Sequence, residues 1–114
     1  MGDIEIRHAT IESTMLGYED HGIFTCMIYL NFGGSRQGFG GYALDEPIKI
    51  QGKFSHREGT KYGMRFMQSI INTVGVSSWE KLVGQNVRVK HDNIKVYDIG
   101  HFLEDKWFCP EDLV

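Results

Sequence analysis

Ile23-Phe24-Thr25-Cys26-Met27-Ile28-Tyr29-Leu30-Asn31-Phe32 carries the strongest strand signal in the chain. It is rich in β-branched and aromatic residues, and polar residues barely interrupt it. An apolar run of this length and texture is expected to sit at the centre of a sheet, covered on both faces. On its N-terminal side, Glu19-Asp20-His21-Gly22 has the composition of a tight turn, with Asp early and Gly last. Before the turn, residues 3–18 open with Ile4 and Ile6 alternating with Asp3, Glu5 and Arg7. Thr10, Ile11, Thr14, Met15 and Leu16 continue in an extended texture. One long strand followed by an antiparallel partner is therefore predicted.

On the C-terminal side, Gly33-Gly34-Ser35-Arg36-Gln37-Gly38-Phe39-Gly40-Gly41 reads as a glycine-rich loop. Tyr42, Ala43 and Leu44 return to strand texture until Asp45-Glu46-Pro47, and residues 47–59 read as a loop or an irregular strand. Phe66, Met67, Ile70, Ile71 and Val74 recur at helical spacing over residues 60–74, with Thr60 placed to cap the start and Gly75 the end. Ser77-x-x-Glu80 resembles a capping box and predicts a second, short helix. Val87 and Val89 alternate with Arg88 and Lys90 in another strand. Residues 94–103 read as a last one, with Gly100 as its bulge. Trp107 and Phe108 should pin the tail, and Pro110 should open a single helical turn. The order β-β-β-α-α-β-β gives an α+β class: an antiparallel sheet with one main helix packed on one face, as a single domain over residues 1–114.

A chain of 114 residues is long enough to bury roughly two thirds of its unfolded surface without disulfide or metal support. Its longest apolar runs fall far short of the ~18 residues needed to span a bilayer. Cys26 and Cys109 stand in apolar surroundings without a secretion signal nearby, so both are expected as reduced thiols in a cytoplasmic protein. The net charge of -3 is too small to name a partner, but it is unevenly spread. Residues 49–95 hold nine bases and three acids, between acidic segments on either side. The basic residues Lys49, Lys53, Arg57, Lys61, Arg65, Arg88 and Lys90 form either a binding stripe or a set of cross-strand neutralising pairs.

The glycine run is the one strong local candidate for a site. Glycines let backbone N–H groups converge on an anion, Arg36 adds a forked cation, and Gln37 adds a hydrogen-bonding amide. No Gly-Lys-Ser/Thr closes the run, and strand texture follows where a dinucleotide fingerprint requires a helix. The structural alternative is a hairpin turn with bulges. On the binding reading the contact residues are Arg36, Gln37, Gly38, Phe39, Gly40, Gly41 and Tyr42. In a strand Phe39 and Tyr42 would face opposite sides. The five histidines show no metal-ligand spacing, and His101 and Glu104 are expected on opposite faces of a strand. Neither cysteine carries a signature of activation, and Ser77 and Ser78 read as caps. No catalytic residue, metal or cofactor is expected.

Several motifs carry a resemblance: Ile11-Glu12-Ser13-Thr14-x-Leu16-Gly17-x-Glu19-Asp20-His21-Gly22-Ile23-x-Thr25, Gly33-Gly34-x-x-Gln37-Gly38-Phe39-Gly40-Gly41-Tyr42-x-Leu44-Asp45, Tyr62-Gly63-Met64 with Val74-Gly75-Val76-x-Ser78-Trp79-Glu80-Lys81-Leu82, and Ile99-Gly100-His101-Phe102-Leu103-x-Asp105-Lys106-Trp107-Phe108. They are similar to those of a family of small bacteriophage and prophage proteins, the main departure being residues 46–59. The resemblance brings no catalytic residue. It implies a setting in the bacterial host cell, where small phage proteins block immune systems in the manner of anti-CRISPR inhibitors. The expected partner is a host protein or ribonucleoprotein complex of a defence system. The alternatives are a nucleotide held by the glycine run, or nucleic acid bound by a phage accessory protein. An exposed edge strand would also be compatible with a homodimer.

Overall fold

The computed structural model describes residues 3–114. Eight strands and one α-helix follow in the order β1 (Glu5–Asp20), β2 (Ile23–Phe32), β3 (Ser35–Gly41), β4 (Asp45–Ile50), β5 (Lys53–Gly59), α1 (Lys61–Val74), β6 (Asn86–His91), β7 (Val96–His101) and β8 (Trp107–Phe108). Six strands form one antiparallel sheet in the order β3-β2-β1-β6-β7-β8, while β4 and β5 form a separate two-stranded arm. The α+β class and the main helix agree with the sequence reading, but the element order does not. Residues 47–59, read as loop or irregular strand, are mostly this arm. The second helix shrinks to a single 3-10 turn at Trp79–Lys81. Its supposed capping box is not formed: Ser78 makes no side-chain cap, and Ser77 Oγ instead accepts a hydrogen bond from Lys81 Nζ.

Hairpin geometry dictates the first half of the sheet. Two-residue turns at His21-Gly22 and Gly33-Gly34 have both φ angles positive (55° and 73°, 64° and 86°). That is the sign pattern of the turns whose twist matches paired strands. β1 accommodates its length through register shifts between Ile11 and Ser13 and between Gly17 and Asp20, so it can serve β2 with its C-terminal half and β6 with its N-terminal half. The centre of the sheet is thus β1 with β6, not β2. Nor is β2 covered on both faces: Cys26, Ile28, Leu30 and Phe32 are buried, while Tyr29 is exposed and Met27 and Asn31 are half-buried. The outward residues are apolar enough to hide this alternation in the sequence.

The sheet curls around α1. The helix presents Phe66, Ile70 and Val74, all buried, at the four-residue spacing of one helical face. The Phe66 ring meets Phe39 of β3 at 6.0 Å and Phe108 of β8 at 5.0 Å, so one helical side chain touches both ends of the sheet. Thr60 caps the helix: its Oγ1 accepts from the Gly63 N–H at 2.9 Å and donates to the Leu44 carbonyl at 3.0 Å. Gly75 closes it at φ 89°, its N–H donating to Ile71. Gly100, expected as a bulge, owes its identity to the indole of Trp107, which lies where a Cβ would stand. The tail is pinned as expected, with Phe108 buried and a 3-10 turn at Pro110–Leu113.

The arm is fixed at its base by a forked ion pair. Arg57 Nε donates to Asp45 Oδ2 and Arg57 Nη2 to Asp45 Oδ1, both at 3.0 Å, and the Phe24 N–H adds a third bond to the same carboxylate. The guanidinium holds the Asp45 carboxyl below its usual range, helped by the Phe24 N–H. Both cysteines are free thiols; Cys26 is fully buried, and its burial raises the thiol pKa to about 11. No described helix is long and apolar enough to cross a membrane.

Candidate functional site

The glycine run is not a loop. Gly33 and Gly34 form a turn, and the rest is strand β3 along one edge of the sheet. Strand alternation then sorts the expected contact residues. Phe39 and Gly41 point inward: Phe39 is buried in the core, and a Cβ on Gly41 would press on Leu44 and Phe66. Neither residue is available to a partner. Gly38 and Gly40 lie on the outward face, beneath the side chain of Met27. Arg36 is exposed and its Nε pairs with Glu12 Oε2 at 3.1 Å. Gln37 is half-buried and its Nε2 donates to the Asp92 carbonyl at 3.2 Å, tying β3 to the β6–β7 turn. Tyr42, just beyond the strand, is 54% exposed, on the opposite side from Phe39 as the sequence predicts.

Two shallow depressions and one deeper cleft adjoin this strand. The first depression, about 290 Å³, brings together Glu12, Ser13, Tyr29, Arg36, Gln37 and Gly38. The second, about 490 Å³, lies at the other end of β3, where Met15, Met27, Tyr29 and Tyr42 are rimmed by Glu19 and Asp20. The cleft, about 540 Å³, separates β3 from β7, with Gly38, Phe39 and Gly40 on one wall and Lys95, Val96, Tyr97 and Asp98 on the other. Met27 and Glu12 are site residues that the sequence reading did not single out, while Tyr29, one of the aromatics too numerous to be buried together, is 41% exposed. Their signal was present in β1 and β2: positions 27 and 29 share one side of a strand whose other side is Cys26, Ile28 and Leu30.

The cleft wall is held rigid from beneath. Asp92 Oδ1 accepts from the N–H groups of Ile94 and Lys95, and Oδ2 accepts from the Tyr97 hydroxyl at 2.6 Å. The Tyr97 hydroxyl, followed by the two N–H groups, lowers the Asp92 pKa to about 2. A carboxyl whose folded pKa lies below its unfolded value stabilises the fold above the unfolded pKa and loses that contribution as pH falls through the folded one. The expected result is a melting temperature that declines as pH drops from about 4 toward 2, with a shallower decline in Asp92→Asn. Parallel slopes for the two proteins in a pH-resolved melting series would show that this carboxyl does not drive the acid response.

The basic stripe does not form one surface. Arg57 is consumed by Asp45. Arg88 donates to the carbonyls of His101 and Glu104 and covers the Trp107 ring, and Lys90 sits over the same ring, 3.8 Å from Asp98. Lys49 and Lys53 belong to the arm, and Lys61 and Arg65 to the exposed side of α1. His101 and Glu104 are not on opposite faces of a strand. β7 ends at His101, and the turn that follows brings His101 Nε2 to 3.2 Å from Glu104 Oε2. His101 Nδ1 accepts the N–H groups of Leu103 and Glu104. This is a loop-closing arrangement, and among the described residues no three His, Cys, Asp or Glu side chains converge as a metal site. Comparison with protein-family models, with curated proteins and with solved structures finds no match to this chain.

Proposed function

We propose that the protein is a non-catalytic binding module whose contact surface is the outward face of β1, β2 and β3, centred on Tyr29 and Arg36. One observation carries this reading. The inner face of these strands is buried in the core, while the outer face is left with an exposed tyrosine, a 73% exposed guanidinium and a glycine strand that puts no side chain in front of them. Tyrosine and arginine are the residue types that anchor protein interfaces, because each joins a large apolar surface to a strong hydrogen-bonding end. The resemblance to phage proteins supplies the setting: the partner is a component of a host defence system, and binding blocks it.

The test is capture of host defence complexes from infected lysate by the tagged protein, repeated with Arg36→Ala and Tyr29→Ala. Loss of a charge-assisted hydrogen bond at Arg36 should weaken binding by about 1.5–3 kcal/mol. The melting temperature should stay close to wild type, because exposed substitutions away from the core change stability little. Unchanged capture by the folded double variant would remove this face from consideration.

The β3–β7 cleft favours a second reading, a bound nucleotide. Its volume is that of a small-ligand site, and Lys90, Lys95 and Tyr97 face the glycine strand across it. A nucleotide panel in a thermal-shift assay discriminates the two readings, since ligand at a hundred times its Kd adds about 2.7 kcal/mol.

A further inference from the structure

The β4–β5 arm is the least covered part of the fold. From Glu46 to Glu58 no residue is buried, and only Ile48 and Arg57 are half-buried. Yet the arm carries large apolar side chains, with Phe54 64% and Ile50 57% exposed. A two-stranded hairpin without a third strand or a packed face is marginal in water. Its ends are nonetheless tied down by the Asp45–Arg57 fork, and its tip is a two-residue turn at Gln51-Gly52 with both φ angles positive. The arm is thus directed outward with its apolar side chains unpartnered.

Its charge names the occupant. Between Glu46 and Glu58 there is no carboxylate, only Lys49, Lys53, His56 and Arg57. Lys49 stands directly opposite Phe54 in the register, so an ammonium and a phenyl ring project from the same face. The complementary surface is on the same molecule: the second depression offers Met15, Met27, Tyr29 and Tyr42 to an aromatic ring, with Glu19 and Asp20 on its rim. Depression and arm are neighbours, because Tyr42 lines the one and Asp45, three residues later, anchors the other. A surface that carries a projection beside its own complement is what an isologous two-fold contact requires. The six residues of β4 and seven of β5 reach about 20 Å, enough to cross three strands of a neighbouring sheet.

We propose that the arm docks onto a second copy of this chain, Phe54 entering the acid-rimmed depression beside Tyr42 and Lys49 meeting Glu19 and Asp20, in a reciprocal pair. Arg36 lies at the opposite end of β3 from Tyr42, so each dimer would present two Arg36 surfaces. Tyr29 lies between the two depressions, so the assembly leaves the Arg36 end of the proposed contact face free and shares its Tyr29 edge.

Sedimentation of the full chain over a micromolar concentration series tests it. A reversible dimer is expected, weakened roughly tenfold or more by Phe54→Ser and by Lys49→Glu, and weakened by salt because the contact is partly ionic. Lys49→Glu combined with Glu19→Lys in one chain should restore it. Melting curves of the single variants below the dissociation range should match wild type, which separates lost contact from lost folding. Three outcomes overturn the proposal: a wild-type chain that is monomeric throughout, a dimer indifferent to Phe54→Ser and Lys49→Glu, or a monomer whose capture of a different protein depends on Lys49. The last would assign the arm to that protein.

Discussion

Phe66→Ala is expected to cost about 3–5 kcal/mol of stability. Phe66 is 1% exposed and holds three parts of the fold at once: its own helix α1, where it also meets Tyr62, β3 through Phe39, and β8 through Phe108. Truncation leaves a cavity that these neighbours cannot fill, because Phe39 and Phe108 are fixed on strands and Gly41 offers no side chain to move in. A domain of this size has about 5–15 kcal/mol in total, so the variant should sit near the edge of folding. Urea unfolding measures it. A loss below about 1 kcal/mol would place Phe66 among residues that repack freely, contrary to the three-ring cluster.

The second large effect is at Gly40, and its neighbour Gly38 is the control. A Cβ on Gly40 would overlap the Cys26 carbonyl oxygen and Met27 Sδ. The carbonyl belongs to the adjacent strand and cannot move without opening the β2–β3 ladder. Gly40→Val should therefore cost at least the 1–3 kcal/mol typical of overpacking, with loss of activity following from loss of the fold. A Cβ on Gly38 would stand 2.5 Å from the terminal methyl of Met27, the end of a flexible side chain that can swing aside. Gly38→Ala should be close to neutral. Equal melting temperatures for Gly40→Val and wild type would show that β3 is free to move away from β2.

These two positions also show what the sequence carried and what it hid. The helix was legible because its cause is local: Thr60, Gly75 and the 66-70-74 spacing all lie within one segment. The hairpin of β1 and β2 was legible for the same reason. The glycine strand was not, because its cause is on another strand. Gly38 and Gly40 are small to admit Met27, and nothing in residues 33–41 announces that. Five glycines therefore resembled a loop. The arm was obscure for the opposite reason: its apolar residues bury nothing, so no alternation marks its inner face. Of the candidate contact residues, Arg36 and Tyr42 are exposed as a contact residue must be, while Phe39 and Gly41 are turned into the core by the strand period. Tyr29 was legible only as one of many aromatics that cannot all be buried, and was not placed beside Arg36, because an outward aromatic in an all-apolar strand looks like one more core residue.

The pairing of β1 with β6 has a bearing on how the chain reaches this structure. β1, β2 and β3 are joined by the shortest turns, and their contacts are local. β1 cannot complete its ladder until Val87 and Val89 have been made, and Glu5 must find His91. Long-range pairing of this kind slows folding, because loop closure is lost before the contact is gained. During synthesis the first half emerges with Ile11, Ile28, Leu30 and Phe32 lined along one uncovered face, and α1 and β6 arrive only later to cover them. A nascent hairpin with an open apolar side is a species that aggregates or recruits a chaperone. Expression yield should therefore respond to temperature and chaperone supply more than the stability of the finished domain would indicate.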